Sequence, residues 1–332
     1  MRVLMTADTV GGVWTYANDL ARALDAEVTI ATMGPPPAER GEHVLVSTYA
    51  LEWEDDPWDD VDRAGAWLLE LEERLEPDVV HLNGYAHGAL PWRAPVVVAA
   101  HSDVVSWWWA VHGAPPPERY DRYRSAVEAG LRAADALVAP TSAALDDLRR
   151  HYRLPQERVV VANGSSFEAG SAGKEPFVLG LGRFRDEAKN LAALERACAA
   201  VSWPLVAAGD GTALGRLDRP EVRSLLARAG VFASPARYEP FGLGILEAAR
   251  SWCALVLGDI PSLREVWGDA ALFAAPDDDE ALASALQLVT CDTELRAELA
   301  ERARRRAARY TVDAMATGYA RVYGEVLSAV TA

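Results

Sequence analysis

Two glutamates separated by seven residues stand in Glu239-Pro-Phe-Gly-Leu-Gly-Ile-Leu-Glu247. An apolar run, Val231-Phe-Ala-Ser-Pro235, precedes the string, and Ala248-Ala-Arg-Ser follows it. The pattern predicts a strand, a turn holding Glu239, and a helix opening near Phe241, with Glu247 about one and a half turns in. A strand tip beside a helix N-terminus gathers backbone N–H groups without intrahelical partners, which suits a phosphate or an electron-rich sugar. Gly242 and Gly244 lack a Cβ, so a ligand can approach the backbone closely. Carboxylates are poor neighbours for phosphate but good acceptors for hydroxyl groups.

Positioning such groups takes a sheet, and the chain supplies the pattern for two. Candidate strands are Arg2–Thr6, Val28–Thr32, His43–Val46, Val79–Asn83, Val96–His101, Ala136–Pro140 and Val159–Ala162, then Phe177–Leu181, Leu205–Ala208, Val231–Pro235, Ala254–Gly258 and Ala271–Ala274. Several are near-continuous apolar runs, as parallel strands buried on both faces require. Helical spacing lies between them, as in Val13, Tyr16, Leu20, Leu24 and in Val61, Ala64, Leu68, Leu71, Leu75. Alternating strand and helix predicts an α/β protein with two doubly wound parallel sheets. Asn163–Pro176 is the Gly/Ser-rich break at mid-chain and reads as the interdomain linker. The expected division is 1–165, 166–310 and a terminal helix in 311–332.

Composition narrows the function classes. The 332 residues suggest two domains, and half are hydrophobic. No apolar run approaches the roughly 18 residues of a spanning helix, and Met1-Arg-Val-Leu-Met-Thr reads as a strand rather than a signal peptide. Cys198, Cys253 and Cys291 have no metal-like spacing, and cytoplasm is the expected compartment. Net charge is −16, and residues 1–166 carry 14 Arg and no Lys against 26 Asp plus Glu. Such an acidic half argues against nucleic acid and anionic membrane surfaces as partners.

The Glu239–Glu247 string, with its Pro-Phe-Gly-Leu core and flanking strand, resembles the E-x7-E signature of retaining glycosyltransferases of family 4, which have the GT-B fold. The resemblance covers nearly the whole chain. It implies two Rossmann-like domains facing across a cleft, with the terminal helix crossing back to the N-terminal domain. It also implies an N-terminal acceptor-binding domain and a C-terminal domain that binds a nucleotide diphosphate sugar such as a UDP- or GDP-sugar. The resemblance makes Glu247 the ribose ligand and Glu239 the reader of donor-sugar hydroxyls. Backbone N–H groups of Phe241, Gly242 and Leu243 would complete the sugar pocket. In Gly182-Arg-Phe-Arg-Asp-Glu-Ala-Lys-Asn190, Arg183 and Lys189 look like the cations that grip the donor pyrophosphate. Without a metal, which the resemblance does not call for, they must meet the charge left on the departing diphosphate. Lys189 is one of two lysines in the chain, the other being Lys174. An exposed charge at a helix start is the alternative for it. Gly11 and Gly12, after the first strand, match the family's glycine loop, although a glycine pair is also a common tight turn. His101 matches a histidine that faces the donor sugar, whereas a strand-end histidine is commonly just a satisfied polar group. Family members acting on lipids often dock through a basic N-terminal domain, which this chain lacks.

The chain departs from the family in two places. The interval from Arg183 to Lys189 is one residue longer than usual, with Asn190 where glycine is common. Only two residues separate Gly209-Asp-Gly211 from Leu214-Gly-Arg-Leu217, where a helix and a strand normally help frame the nucleobase.

Trp107, Trp108 and Trp109 offer indole faces for stacking on a sugar acceptor, with a core cluster as the alternative. His81 and His87 flank another strand-end loop and are candidates for receiving the acceptor. Asp60-Val-Asp62 has the form of a metal motif but reads as solvated charge at a helix start, and Arg302 to Arg309 reads likewise. Three rivals share parts of the pattern. A sugar-nucleotide epimerase on this fold would need acid/base residues and no acceptor. A dehydrogenase would need G-x-G-x-x-G, which Gly11-Gly12 does not supply. A non-catalytic nucleotide-sugar binding module would show decay among Arg183, Lys189, Glu239 and Glu247, and all four are intact.

Overall fold

The computed structural model describes residues 1–37, 41–167, 170 and 173–330. Of the expected linker, residues 168, 169, 171 and 172 lie outside the described residues. The chain divides into two compact units: Met1–Trp109, Gly113–Gly164 and the segment from Val312 form one, and Ser165–Thr311 with Ala110–His112 form the other.

The first unit runs β1 (Arg2–Asp8), α1 (Gly12–Ala23), β2 (Glu27–Met33), β3 (Val44–Val46), α2 (Trp58–Leu75), β4 (Val79–Leu82), β5 (Val96–Ala99), α3 (Val104–His112), α4 (Asp121–Ala133), β6 (Ala136–Ala139), α5 (Ser142–His151) and β7 (Glu157–Val160). Its strands form one parallel sheet in the order β3-β2-β1-β4-β5-β6-β7. The second unit runs β8 (Glu175–Leu181), α6 (Leu191–Ala199), β9 (Leu205–Ala208), α7 (Arg219–Arg228), β10 (Ala229–Ser234), α8 (Leu243–Arg250), β11 (Ala254–Gly258), α9 (Pro261–Trp267), β12 (Leu272–Ala274), α10 (Asp279–Cys291) and α11 (Thr293–Ala307). Its parallel sheet has the order β12-β11-β10-β8-β9. The chain then adds α12 (Val312–Val330) to the first unit.

Each expected strand forms, and the reason lies in the burial. Every residue of β4, β5, β6 and β11 is buried, so both strand faces had to be apolar, His81 of β4 apart. On α2, Val61, Ala64, Leu68 and Leu71 are buried as their spacing requires, each apolar side chain removed from water being worth roughly 1.5–3 kcal/mol for the larger ones. One strand differs. The run Val159–Ala162 pairs two residues earlier, as β7, because an edge strand with Glu157 and Arg158 facing water loses its apolar signature. On α12, Met315, Tyr319, Val322, Tyr323 and Val326 are all buried. A Cβ on Gly318 would stand 2.7 Å from Val161 Cγ1, so glycine lets the helix approach that closely.

Both sheets reverse their winding at one point, between β1 and β4 in the first and between β8 and β10 in the second. Ligands of open parallel sheets bind outside the strand carboxyl ends at such points. The loops leaving β1, β4, β8 and β10 are therefore where the candidates must be sought.

Candidate active site

In the second unit, the loop after β8 carries Arg183 and Lys189, and the loop after β10 carries Glu239. Lys189 Nζ donates to Glu239 Oε2 at 2.7 Å, each side chain 20% exposed. An ammonium has three donors, so this pair leaves Lys189 able to hold a further anionic oxygen. Arg183 is half-buried and forms no ion pair with any carboxylate among the described residues. Asn190 adopts φ 56° and ψ 44°, the left-handed conformation that asparagine tolerates better than most side chains. It thus meets the backbone demand usually met by glycine, and its Nδ2 also donates to the carbonyls of Pro235 (3.1 Å) and Pro276 (2.7 Å). This side chain joins the Lys189–Glu239 pair in pinning the loop after β8 to the loop after β10, and ties it also to the segment after β12.

Helix α8 opens at Leu243 rather than Phe241, because Gly242 stands at φ 89° and cannot be a helical residue. Glu247 is consequently its fifth residue, nearer the helix start than expected. The Phe241 ring is buried edge-on against Tyr310, so what Phe241 offers a ligand is backbone. Gly244, by contrast, borders open space. Glu247 is 9% exposed, and Arg219 Nη1 donates to its Oε1 at 3.2 Å. The Arg219 guanidinium also lies 5.3 Å over the Phe167 ring. Sequence reasoning does not find Arg219, which follows Asp218 in an ordinary capping box. The short interval after β9 delivers the chain directly into α7, with β9 as the edge of the sheet.

In the first unit, Gly11 caps α1 at φ 84°, and Gly12 is the helix's first residue. The preceding turn is held by Asp8 Oδ1, which accepts from the Val10 N–H at 2.8 Å. His101 does not end a strand; it lies two residues beyond β5, in the loop to α3. Its Nε2 is 2.7 Å from Asn83 Oδ1, and Tyr16 of α1 meets its ring edge-on at 4.5 Å. Burial, with nearby His81 adding to it, pushes the His101 pKa down to about 3. The imidazole is therefore neutral across physiological pH.

The structure departs from expectation at the other two histidines. His81 points into the unit from β4 and is fully buried, its Nδ1 2.6 Å from Tyr323 Oη and its Nε2 3.1 Å from Asn83 Oδ1. Burial lowers its pKa to about 4. His87 is also buried, with Nε2 3.0 Å from the Val61 carbonyl. Neither ring is presented to an acceptor; both satisfy internal hydrogen bonds.

Trp107, Trp108 and Trp109 lie on α3, whose start is fixed by buried Asp103. That carboxylate accepts from Ser106 N (2.7 Å), Ser106 Oγ (2.8 Å), Tyr123 Oη (3.2 Å) and Tyr152 Oη (2.7 Å). Trp107 and Trp108 are half-buried and Trp109 is 42% exposed, so the three are not a core cluster. Trp108 tilts against Tyr120 at 5.7 Å, and Trp109 stacks on His151 at 6.2 Å. Asp60 and Asp62 do not converge on a common point: Asp60 accepts from the Ala50 N–H and pairs with Arg63, while Asp62 pairs with Arg122. Arg302 and Arg305 pair with Glu298 and Glu301 one turn back.

With this geometry in hand, the likeness to known proteins is specific. Residues 10–164 match the family described as Glycosyltransferase Family 4, and residues 210–306 match Glycosyl transferases group 1. The glycogen synthase of Mycobacterium tuberculosis is 30% identical over 311 residues, covering 79% of this chain and 72% of that one. Among solved structures, sucrose-phosphate synthase from Thermosynechococcus elongatus superposes with a TM-score of 0.86 at 18% identity, over 99% of this chain and 100% of that one. The Anabaena HepE structure, solved with UDP and glucose, gives a TM-score of 0.75 at 18% identity over 98% of this chain and 99% of that one. At such identities these two structures speak to the fold, which they share with this chain along almost its full length. The two family matches and the mycobacterial relative speak to descent, and the chain belongs to the GT-B glycosyltransferases of family 4 and group 1.

Proposed function

We propose that this glycosyltransferase moves a hexose from a UDP- or GDP-sugar to a hydroxyl of a sugar or small-molecule acceptor, with retention of anomeric configuration and without a metal ion. One observation carries the reading. At the switch point of β8 and β10, Lys189 of the loop after β8 pairs with Glu239 of the loop after β10, Arg183 lies in the same loop as Lys189, and Glu247 follows on α8. That arrangement supports a reading in which the cations meet a diphosphate and the carboxylates meet hydroxyl groups.

The roles follow from the chemistry. Glu247 accepts from the ribose hydroxyls, with Arg219 holding its other side. Arg183 and the remaining donors of Lys189 take the pyrophosphate oxygens. Glu239 reads sugar hydroxyls, and its pairing with Lys189 offsets the cost of a carboxylate near phosphate. N–H groups at Phe241, Gly242 and Leu243 face the same ligand. In the first unit, the start of α1 at Gly11 and Gly12, the His101 ring and the indoles of Trp107 and Trp108 are the groups offered to substrate. In the transfer, the bond from the anomeric carbon to the diphosphate oxygen breaks and the bond to the acceptor oxygen forms on the same face. The acceptor's proton goes to the departing phosphate, so no side-chain nucleophile is needed. Arg183 and Lys189 stabilise the charge that develops there.

Calorimetric titration of UDP, GDP, ADP and dTDP, with and without EDTA, tests this on the wild type and Arg183→Ala. Tight binding of UDP or GDP, indifferent to EDTA and lost in the variant, is the expected result. Absence of binding to all four would overturn the donor assignment. The anomeric configuration of the product, read by proton NMR, separates retention from inversion.

A further inference from the structure

The buried polar residues under the first unit's switch point form one connected chain whose proton positions can be deduced. Asn83, directly after β4, donates its backbone N–H to Thr6 Oγ1 at 2.9 Å and its side-chain Nδ2 to the Thr6 carbonyl at 2.6 Å. A carbonyl has lone pairs only, so the amide NH2 must face Thr6. Asn83 Oδ1 is thereby turned toward two imidazoles, His101 Nε2 at 2.7 Å and His81 Nε2 at 3.1 Å. Because Oδ1 can only accept, both rings must carry their proton on Nε2. His81 Nδ1 is then an acceptor, and the Tyr323 hydroxyl donates to it at 2.6 Å. The line of bonds thus runs from α12 through β4 to the loop after β5.

The surroundings close off the alternatives. Tyr16 of α1 lies 3.4 Å from His81 Nε2 through its hydroxyl and meets the His101 ring edge-on, while Tyr319 of α12 packs on the His81 ring at 5.0 Å. These neighbours are neutral phenols, and burial pushes the pKa of each further up. No carboxylate is hydrogen-bonded to either imidazole among the described residues. The pKa of each ring is held far below the ordinary histidine value.

We propose that Asn83, backed by His81 and Tyr323, is a positioning residue that locks His101 in the Nε2–H tautomer, so that the ring meets substrate as a hydrogen-bond acceptor at Nδ1. The substrate half of this inference rests on His101 standing in the substrate site; the tautomer half does not. His101 then recognises a hydroxyl group and takes no part as an acid. The distance in sequence between Tyr323 and His101 makes the terminal helix a part of the apparatus that sets this recognition.

Nitrogen-15 NMR of the full chain labelled at histidine tests both halves. His101 should show a protonated Nε2 and an unprotonated Nδ1, with shifts unchanged between pH 5.5 and 8.5; a protonated Nδ1 overturns the proposal outright. In Asn83→Ala, the His101 signals should move toward a mixed tautomer, and kcat/KM should fall about tenfold, the worth of one oriented hydrogen bond. Diphosphate affinity should be unchanged. Tyr323→Phe keeps the ring packing and leaves Asn83 in place; His81 Nδ1 loses its donor, which should loosen the ring and cause a smaller loss in kcat/KM, with Tm lowered by only a few degrees. An unmoved tautomer with wild-type kcat/KM in Asn83→Ala overturns the lock. A shifted tautomer with wild-type kcat/KM leaves the lock standing and removes His101 from the substrate site, which would overturn that part of the function proposed above.

Discussion

The two sheets bring their candidate residues to the same topological place and equip it in opposite ways. At the switch point of β8 and β10 the side chains are charged and matched, Lys189 with Glu239 at 2.7 Å and Arg219 with Glu247 at 3.2 Å, with Arg183 in the same loop as Lys189. At the switch point of β1 and β4 they are neutral, the histidines held uncharged by burial and wired through Asn83. On the function proposed above, the contrast separates two tasks. A nucleoside diphosphate needs fixed positive charge, and the cations that supply it must be kept in place by carboxylates when no ligand is bound. Hydroxyl groups need donors and acceptors whose polarity does not change with pH. On that proposal, one fold used twice supplies both.

Removing the charge from one side should have the largest effect. Arg183→Ala should lower kcat by about 100-fold to 1000-fold, the usual loss of one donor aimed at developing charge, with little change in Tm. An unchanged kcat would show that the charged cluster serves structure rather than transfer.

Acidification probes the neutral side. An unfolded histidine titrates near its ordinary value, whereas folded His81 titrates at about 4 and His101 at about 3. Between those values the unfolded state binds more protons, so stability is full above about pH 6.5 and falls as pH drops toward 4. For His81 alone the loss is on the order of 3 kcal/mol by the low end of that window. Urea denaturation of the wild type and His81→Gln from pH 7 to pH 4.5 measures it. The variant's curve should be flatter, and parallel curves would mean that His81 is not held neutral.

Asn190 separates geometry from chemistry within the charged unit. Asn190→Ala loses two hydrogen bonds and strains the left-handed backbone, costing about 2–3 kcal/mol of stability, while Asn190→Gly relieves the strain and should cost about 1 kcal/mol less. Equal losses in thermal or urea unfolding would remove the backbone part of that account. The smallest change is expected from Trp108→Ala, which should raise acceptor KM a few-fold with diphosphate affinity intact; a rise in diphosphate Kd instead would place the indole with the donor.

Much of this arrangement is legible in the amino-acid sequence. Buried parallel strands must be apolar on both faces, and Val79–Leu82 and Ala254–Gly258 announce themselves for that reason. The Glu239–Glu247 string carries its own turn, because Gly242 forces the break ahead of α8. Single-residue roles are less legible. His81 sits between Val80 and Leu82 in a fully buried run, a pattern that points its ring inward, yet its partner Tyr323 lies 242 positions away. No local pattern encodes such a contact. Arg219 escapes for the same reason: nothing near it in sequence marks Glu247 as its partner. Asn83 leaves a usable sign, a lone amide directly after a buried strand at the sheet's point of reversal.

The helix α12 carries a consequence for how the protein is made. Synthesis runs from the N-terminus, so the β1–β7 sheet and its helices leave the ribosome long before Tyr319 and Tyr323. During that interval the surface that α12 will cover, including Tyr16 and His81, has no partner, while all of Ser165–Thr311 is produced and can fold. The first unit is thus completed only after the second has been made. A nascent chain stalled before Val312 should therefore present an apolar face of the kind chaperones bind, and the emergence of α12 should cover it.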